Sequence, residues 1–358
     1  MVIHSLELSN FRNYSKTEVS FDPGINGIIG YNGQGKTNLV ESIYFATHLK
    51  SFRTTKIKDL CSFDKSSSTI RMSLEKRSVA HEVKITLDDN VKNVILDQDN
   101  IRYFSEFIKN FYSLLFAPDL LTSFKVSPLH RRNFFDRVLF LIDPDYFQRI
   151  KEYNRIRKQK GHLLRNREKK QLKIWNQLLA NVIPNLVKAR EELSVKINER
   201  LSAIFKALTG RDHYLKLIYH NNFEGKAEIS EADILFFLSS NEDVEIEKGK
   251  IAYGPHKDNF FMTLDERMDK HSFSQGEYRI SFLSLQLAIN EIITQRLNFN
   301  PVVLLDDITS ELDEEVINRT VDYISQKENQ VFISSVKPLD SISQGAIHRI
   351  SSGVICSE

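Results

Sequence analysis

The sequence has little cysteine, no long apolar run and almost no net charge. Its 358 residues include two cysteines, Cys61 and Cys356, without a CxxC spacing. This pattern argues against a disulfide framework or a zinc site and indicates a reducing cytosol. The apolar runs, such as 138–142 and 301–305, are far shorter than the roughly 18 residues of a membrane-spanning helix. The first residues are strand-like and show no basic segment followed by an apolar core, so we expect no secretory signal. We therefore expect a cytoplasmic protein that does not enter a membrane.

The overall composition is that of a folded globular protein. Apolar residues make up 41% and charged residues 27% of the chain, which excludes collagen-like, low-complexity and fully disordered classes. The length suits about two domains of roughly 150 residues, with cores that need no disulfide or metal. Because the net charge is only +2, any affinity for nucleic acid must come from local basic patches.

Three zones of the chain differ in their predicted secondary structure. Residues 1 to about 115 indicate short strands with one helix, residues from about 118 to 210 indicate helix, and residues from about 213 onward alternate between strand and helix. This order favours one α/β domain split by a helical insertion, or else three sequential domains. The strand candidates are 2–8, 25–29, 69–75, 81–88, 92–97, 301–306 and 330–334.

The helical zone carries a basic stretch. Between Asp145 and Lys173 there are eleven basic residues against three acidic ones. Apolar residues recur there at helical spacing, and a bend at 166–167 predicts a pair of helices of about 20 and 38 residues. A solvated helix face and a phosphate-binding surface both fit this pattern. The residues that we expect to contact DNA are Arg155, Lys158 and Arg165, with Arg131 and Arg132 as further candidates.

A glycine-rich segment follows the 25–29 strand and precedes an amphipathic helix. It matches the GxxxxGK[ST] phosphate loop in the strand–loop–helix context that this motif requires. Its glycines let backbone N–H groups and the helix N-terminus face a polyphosphate. Lys36 would reach the β- and γ-phosphates, and the Thr37 hydroxyl would ligate Mg²⁺. The predicted nucleotide-binding residues are Gly30, Tyr31, Asn32, Gly33, Gln34, Gly35, Lys36 and Thr37.

Two carboxylates follow a second apolar strand, 302–305. Asp306 is expected at the strand's C-terminal end, where ligands of α/β sheets collect, and we predict that it holds Mg²⁺ through water. Asp307 is the candidate general base that orients the attacking water. A solvated acidic turn is the alternative. Since the phosphate loop and this strand must meet in one site, the α/β domain is predicted to be split, with the helical zone inserted.

A second candidate phosphate site precedes the helix 280–293. A Ser-x-Gly element that heads a helix offers a hydroxyl, backbone N–H groups and the helix dipole. The same pattern is also a common helix N-cap, but here it lies about 30 residues before the Asp306 strand. The candidate residues of this signature element are Ser274, Gln275, Gly276 and Glu277.

The order of these motifs resembles the ABC-type ATPases. In them, the signature of one subunit closes on the nucleotide of another, and 310–313 is similar to their D-loop. Further segments resemble the RecF family of bacterial recombination mediators, and together they span essentially the whole chain. These segments are 10–14, 51–54, 116–120, 127–128 with Arg131, Arg132 and Asp136, and 254–258.

The resemblance implies an ABC-type P-loop ATPase head, split in sequence, with an inserted helical lobe. The expected parts are 1–115 and 241–358 for the ATPase domain and 116–240 for the insertion. It further implies weak, DNA-stimulated ATP hydrolysis, an ATP-induced homodimer, binding to single-stranded or gapped DNA, and recombinase loading together with RecO and RecR. Support of replication and SOS induction, at the nucleoid, is implied in the same way.

The chain departs from the wider superfamily at three points. Asp307 stands where transporters and SMC proteins usually carry Glu, which fits weak turnover. Asp119 is the candidate at the Q-loop position, and Ser334 or Ser335 occupies the switch position where transporters usually have His. His256 lies on another segment and is not given that role.

Other classes of P-loop protein fit the sequence less well. The main alternative is the nucleotide-binding subunit of an ABC transporter, but that subunit has a shorter helical part and no basic helical pair. An SMC protein needs a much longer coiled coil than an insertion of about 120 residues allows. A P-loop kinase would lack the signature element.

Overall fold

The computed structural model describes residues 1–88, 91–223, 229–268, 272–338 and 345–357. The chain forms two compact units. The first comprises Met1–Thr122, Ile204–Arg211 and Gln275–Glu358, and the second comprises Ser123–Ala203 and Asp212–Ser274. The first unit is thus assembled from segments that are distant in sequence, as predicted for a domain that an insertion interrupts. The limits of these units differ from the boundaries expected at 115/116 and 240/241, and those boundaries stay a prediction.

The strands are numbered along the chain. They are β1 Val2–Phe11, β2 Tyr14–Ser20, β3 Ile25–Ile29, β4 Ser67–Lys76, β5 Val79–Asp88, β6 Val91–Leu96, β7 Asp99–Asn100, β8 Ser113–Phe116, β9 Leu215–His220, β10 Asn259–Leu264, β11 Arg267–Met268, β12 Val302–Leu305, β13 Val331–Ser335, β14 Ala346–Ser351 and β15 Val354–Ser357.

The helices are numbered in the same way. They are α1 Lys36–His48, α2 Phe104–Asn110, α3 Pro118–Val126, α4 Pro128–Ile142, α5 Tyr146–Arg165, α6 Leu172–Thr209, α7 Glu231–Ser240, α8 Glu242–Lys248, α9 Gln275–Leu297, α10 Ile308–Glu311 and α11 Glu314–Ser325, with a 3₁₀ turn at Ile57–Leu60. In the part of the chain that the structure describes, none of the helices is long and apolar enough to cross a membrane.

A mainly parallel sheet forms the centre of the first unit. Its strand order is β15-β14-β3-β13-β12-β8, and only the β14–β15 pair is antiparallel. The residues of β8, β12 and β13 are buried throughout, which explains why their sequences are nearly continuous apolar runs. Parallel strands need crossover connections, and helices provide these between the motif-bearing strands.

A second, antiparallel sheet of the first unit has the order β2-β1-β4-β5-β6-β7. Buried and exposed residues alternate along β4, so one face of this sheet packs on the core and the other meets solvent. The buried face contributes Ile70, Met72 and Leu74 to a core cluster that also includes Leu39 and Ile43 of α1. This packing fixes the helix that follows the phosphate loop.

The second unit is mostly helical. The predicted pair of helices is confirmed, because α5 has 20 residues and α6 has 38. The chain bends between them at Arg167, which has a positive φ of 57°. A small antiparallel sheet of order β11-β10-β9 belongs to the same unit and was not predicted.

Candidate functional site

The candidate site lies at the carboxyl edge of the parallel sheet. Strands β3, β13 and β12 are neighbours, with Ile29 paired to Ser335 and Ile333 paired to Leu305. Because parallel strands end at the same edge, the loop after β3 and the carboxylates after β12 converge there. The structure therefore brings together residues that are separated by about 270 positions, as the 269-residue separation of Thr37 and Asp306 shows.

The phosphate loop is closed by its own lysine. Lys36 Nζ donates to the carbonyl oxygens of Gly30 at 2.7 Å and Tyr31 at 3.1 Å. Gly33 and Gly35 have positive φ values of 80° and 120°, which an L side chain adopts only with strain. Burial lowers the pKa of Lys36, and the negative charges of Asp307 and Asp306, which follow β12, oppose that shift. The Lys36 ammonium group is thus placed within a loop whose backbone conformation suits an anion.

A hydroxyl and a carboxylate meet beside this loop. Thr37 Oγ1 donates to Asp306 Oδ1 at 3.2 Å, and Ser334 Oγ donates to the same oxygen at 2.7 Å. Burial raises the pKa of Asp306, while the hydrogen bonds from Ser334 and Thr37 lower it and the charge of Asp307 raises it further. The carboxylate is held rigidly and is electrostatically suited to a cation.

The backbone of Asp307 is held by a hydrogen bond to the end of the neighbouring strand β13. Its backbone has a positive φ of 50°, and its N–H donates to Ser334 Oγ at 2.8 Å. Ser310 Oγ donates to Asp307 Oδ2 at 2.7 Å. Ser334 therefore bonds both members of the acidic pair from the predicted switch position, whereas Ser335 Oγ donates to the carbonyl of Lys337.

These residues fit a magnesium–nucleotide complex. The Thr37 hydroxyl and the Asp306 carboxylate are hard oxygen ligands on adjacent elements, and Mg²⁺ in such sites takes few protein ligands beside phosphate and water. No cluster of three or more His, Cys, Asp or Glu side chains able to bind a metal occurs among the described residues. The phosphate loop would supply backbone N–H groups and Lys36 to the phosphates.

A buried carboxylate behind the loop was missed by the motif analysis. Glu41 of α1 is fully buried and accepts a bidentate pair of hydrogen bonds from Arg12, at 2.9 and 2.7 Å. Ser51 Oγ donates to it at 2.5 Å, and Arg53 Nη1 lies 3.3 Å away. Two of the segments quoted for the family resemblance thus converge on the helix of the phosphate loop. That convergence is the signal that could have identified Glu41.

The signature residues begin a different helix. Ser274 directly precedes α9, and Ser274, Gln275 and Gly276 are exposed. A Cβ atom added at Gly276 would meet nothing within 4 Å. The predicted helix 280–293 is confirmed within α9, which is longer at both ends. The start of this helix is therefore exposed to solvent.

The candidate DNA-binding residues divide into two groups. Arg155, Lys158 and Arg165 are exposed on α5. Arg131, in contrast, is buried, and its guanidinium donates to Asn259 Oδ1 at 3.1 and 2.9 Å and to the carbonyl of Phe124.

Arg132 Nη1 similarly donates to the carbonyl of Asp258, and burial lowers the pKa of Arg132. Both Arg131 and Arg132 therefore hold the fold of the second unit, and a contact to DNA would compete with those bonds.

Asp119 and His256, the two residues considered for the Q-loop and switch roles, make none of the contacts described above for the phosphate loop and the acidic pair. Asp119 is exposed in the first turn of α3, so its Q-loop role stays a prediction. His256 Nδ1 lies 2.5 Å from the Tyr153 hydroxyl in the second unit, and burial with the nearby Arg157 lowers the pKa of His256 to about 4. His256 thus serves a local contact of that unit.

Known proteins share this architecture. The sequence model of the RecF/RecN/SMC N-terminal domain family matches residues 2–350. The RecF DNA replication and repair protein of Clostridium acetobutylicum is 33% identical over 88% of this chain and 87% of its own length. That of Shouchella clausii is 32% identical over 98% of this chain and 100% of its own length.

Solved structures agree with the family match in fold. A structure of the recombination mediator RecF with ATP, from the RecFOR pathway, has a TM-score of 0.87 at 24% identity and covers 100% of this chain and 97% of its own. An Smc head has a TM-score of 0.62 at 18% identity and covers 100% of this chain and 98% of its own. The predicted fold, an ATPase head of this type, is confirmed. The chain belongs to the RecF/RecN/SMC family and, within it, to the RecF DNA replication and repair proteins.

Proposed function

We propose that this protein is an ATP-dependent DNA-binding protein of recombinational repair, in which weak ATP hydrolysis acts as a switch. The observation that carries the proposal is the cluster of Lys36, Thr37 and Asp306 at one sheet edge, in a chain of the RecF family. The RecF relatives from Clostridium acetobutylicum and Shouchella clausii are described as DNA replication and repair proteins. By the same resemblance, the protein supports replication and SOS induction in the cytoplasm, at the nucleoid.

The roles of the site residues follow from their positions. Residues 30–35 present backbone N–H groups to the phosphates, and Lys36 exchanges its loop carbonyls for the β- and γ-phosphates. Thr37 and Asp306 hold Mg²⁺, which neutralises phosphate charge when it is bound. Asp307 accepts a hydrogen bond from the water that attacks the γ-phosphate and takes its proton.

Slow turnover is expected from the two residues that flank the attacking water. Asp307 is one methylene shorter than the Glu that transporters usually carry, so it reaches the water less closely. Ser334 at the switch position bonds Asp306 and the backbone of Asp307, and a hydroxyl offers no positive charge to the γ-phosphate. Turnover that is slow relative to binding suits a switch that holds the ATP state.

ATP-induced dimerisation is proposed because the signature element is exposed. Ser274 and the first turn of α9 offer a hydroxyl and backbone N–H groups. These can donate hydrogen bonds to the γ-phosphate of an ATP that a second subunit holds. A ligand shifts an equilibrium only through different affinities for the two states, and ADP lacks this phosphate. Two subunits related by a twofold axis would then form two composite sites.

The Ser274→Arg variant should bind ATP as a monomer but fail to dimerise. The added side chain would occupy the place of the γ-phosphate at the exposed helix start, and the residues of the phosphate loop are unchanged in this variant. Light scattering with and without ATP measures dimerisation, and calorimetry measures binding. Dimerisation of Ser274→Arg with ATP, or loss of its monomer binding, would contradict the composite site.

Mixing two inactive variants gives a sharper test of this arrangement. Lys36→Met keeps an intact signature, whereas Ser274→Arg keeps an intact phosphate loop. Their heterodimer would contain one complete site and one doubly altered site. Partial return of ATP-dependent dimers on mixing, absent from either variant alone, is the expected result.

DNA binding is proposed for the exposed basic face of α5. Arg155, Lys158 and Arg165 are exposed there, and phosphate contacts by such residues release counterions. Single-stranded or gapped duplex DNA is the proposed ligand, and RecO and RecR are the proposed partners in loading recombinase. Because Arg131 and Arg132 hold the fold, they are the weaker candidates for direct contact.

DNA affinity in the ATP state should fall steeply with salt. A footprint of about six phosphates gives a log–log slope near −4 to −5. Changing Arg155, Lys158 and Arg165 to Glu should flatten this slope in a fluorescence anisotropy titration. An equal charge change at the exposed residues Lys16, Lys56 and Lys65 of the first unit is the control. If the control variant flattens the salt dependence and the α5 variant does not, the DNA-binding surface lies on the first unit.

Substrate dependence tests the proposed function against the transporter subunit that the sequence motifs alone also allowed. A repair ATPase should turn over ATP faster with gapped DNA and show no response to lipid vesicles. Stimulation by vesicles and indifference to DNA would favour the transporter subunit. Light scattering in the presence of ATP and DNA tests nucleotide binding, dimerisation and DNA linkage in one experiment.

A further inference from the structure

The β14–β15 hairpin contacts the phosphate loop directly. The hairpin reverses at Ser352 and Gly353, and both have positive φ values, 49° and 78°, as a two-residue turn of type I′ requires. The Ser352 N–H donates to Gln34 Oε1 at 2.6 Å, and the Gly353 N–H donates to the Gln34 carbonyl at 3.1 Å. The turn therefore holds one loop residue through both its side chain and its backbone.

Two close approaches show how tightly the hairpin is fitted against this region. A Cβ atom added to Gly30, the first residue of the loop, would lie 2.5 Å from the carbonyl oxygen of Ile350 in β14. A Cβ atom added to Gly353 would lie 2.4 Å from the carbonyl oxygen of Asn13. Both distances are too short for real atoms, and both neighbours are backbone, so neither could move aside cheaply.

Asn13 completes the contact from the other side. Its Nδ2 donates to the Gln34 carbonyl at 2.9 Å, and its Oδ1 accepts from Asn38 Nδ2 of α1 at 2.8 Å. Gln34 is thus bonded by the hairpin turn and by the β1–β2 connection at once. A chain of contacts joins β14–β15, the phosphate loop and α1.

A loop with three glycines needs such support. Glycine loses more conformational freedom than any other residue when it is ordered, so ordering the loop at the moment of binding would weaken affinity. A loop that is already ordered avoids that cost. The hairpin contacts act before any phosphate arrives, because they involve protein groups alone.

We infer that the Ser352–Gly353 turn is a positioning element of the nucleotide site, which holds Gln34 and the phosphate loop in their phosphate-binding conformation. The inference rests on the proposed ATP site. It differs from a merely structural role, which would make the turn matter for the stability of the fold and leave the nucleotide affinity of the folded protein unchanged.

The Gly353→Ala variant tests this role. The added methyl group cannot be placed against the Asn13 carbonyl, so the turn must move away from Gln34. Loss of the two backbone hydrogen bonds to the loop, at about 0.7 kcal/mol each, corresponds to about a tenfold weaker ATP affinity. Calorimetry on the full chain measures the dissociation constant for ATP, and thermal unfolding without nucleotide measures the stability of the fold.

The control is Gly249→Ala in the second unit. Gly249 also has a positive φ, 59°, but a Cβ atom there would approach no atom closer than 3.9 Å. Gly249→Ala therefore places an alanine in the left-handed backbone region, with the strain that this causes, but without a steric clash of its Cβ atom. It should lower the unfolding temperature and bind ATP as the parent does. A second variant, Gln34→Leu, removes the side-chain acceptor at a half-exposed position and should weaken ATP binding with little change in stability.

The outcomes separate the inference from the proposed function. If the parent protein binds no ATP, the nucleotide site itself is wrong. If the parent binds ATP and both Gly353→Ala and Gln34→Leu bind it within about twofold, the turn is only a structural element and the inference is overturned. Should Gly353→Ala fail to fold, Gln34→Leu decides alone. Weaker binding by these variants, with Gly249→Ala unchanged, supports the positioning role.

Discussion

Replacing Lys36 with Met should lower ATP affinity by more than about 100-fold and leave the fold intact, since hydrogen bonds to charged groups contribute roughly 1.5–3 kcal/mol each. The ammonium group of Lys36 donates to the carbonyls of Gly30 and Tyr31 and is the cation closest to the expected phosphates. Met preserves the unbranched apolar stem of the side chain as far as Cε and removes only the ammonium group. Without that charge, the β- and γ-phosphates would lose the one cation that the phosphate loop itself supplies, and only Mg²⁺ would neutralise them there.

Calorimetric titration with Mg-ATP measures this loss, and Lys92→Met is the matched control. Burial lowers the pKa of Lys92 as well, and its ammonium donates to the carbonyl of Leu49 at the far end of α1. A 13-residue helix is about 20 Å long at 1.5 Å per residue, so the control lies well away from the phosphate loop. ATP binding by Lys36→Met equal to that of the parent would exclude the assigned site.

The sequence allowed the motif-bearing strands to be predicted because their chemistry is local. β3 was predicted with both ends correct, and β12 and β13 were each predicted to within one residue. A glycine-rich loop and a strand that ends in two carboxylates can each be recognised from a few adjacent residues. Their meeting at one edge followed from the requirement that a phosphate loop and a metal-binding carboxylate share a site.

The contacts that support the site could not be predicted in the same way. Ser352 lies 318 positions from Gln34, and the two N–H donors of the turn belong to the backbone, so the residue types of the turn do not reveal these two hydrogen bonds. Glu41 lies on a helix whose pattern is amphipathic, where a carboxylate is normally expected to face water. Only the folded structure brings Arg12 and Ser51 to it.

A buried arginine of the second unit shows the same limit most clearly. Arg190 lies on α6 among charged residues and would be assigned to the surface from sequence, yet it is 1% exposed. Its Nη1 donates to Asp258 Oδ2 at 2.8 Å and to the Pro255 carbonyl at 2.7 Å, and its Nη2 donates to Asp136 Oδ1 at 2.9 Å. One guanidinium therefore joins α6 to α4 and to the 254–258 segment.

We expect the Arg190→Met variant to lose about 3–5 kcal/mol of unfolding free energy at pH 7, because removing one partner of a buried ion pair leaves the other charge uncompensated. Burial already raises the pKa of Asp258, and Arg190 is the main group that lowers it. Lys188→Met, two residues away and exposed, is the control and should change stability by less than about 0.5 kcal/mol. Urea unfolding monitored by circular dichroism measures both.

The pH dependence of this loss identifies its cause. Without Arg190, the folded-state pKa of Asp258 rises further above its unfolded value, so the penalty for the ionised carboxylate is present above that pKa. The penalty is relieved as pH falls through the folded pKa, because the folded state then binds a proton that the unfolded state does not yet hold. The deficit of Arg190→Met relative to the parent should therefore shrink as pH falls from 7 toward the ordinary range of a carboxyl pKa. A deficit that stays constant with pH would mean that lost packing of the long side chain, and not an unpaired carboxylate, destabilises the variant.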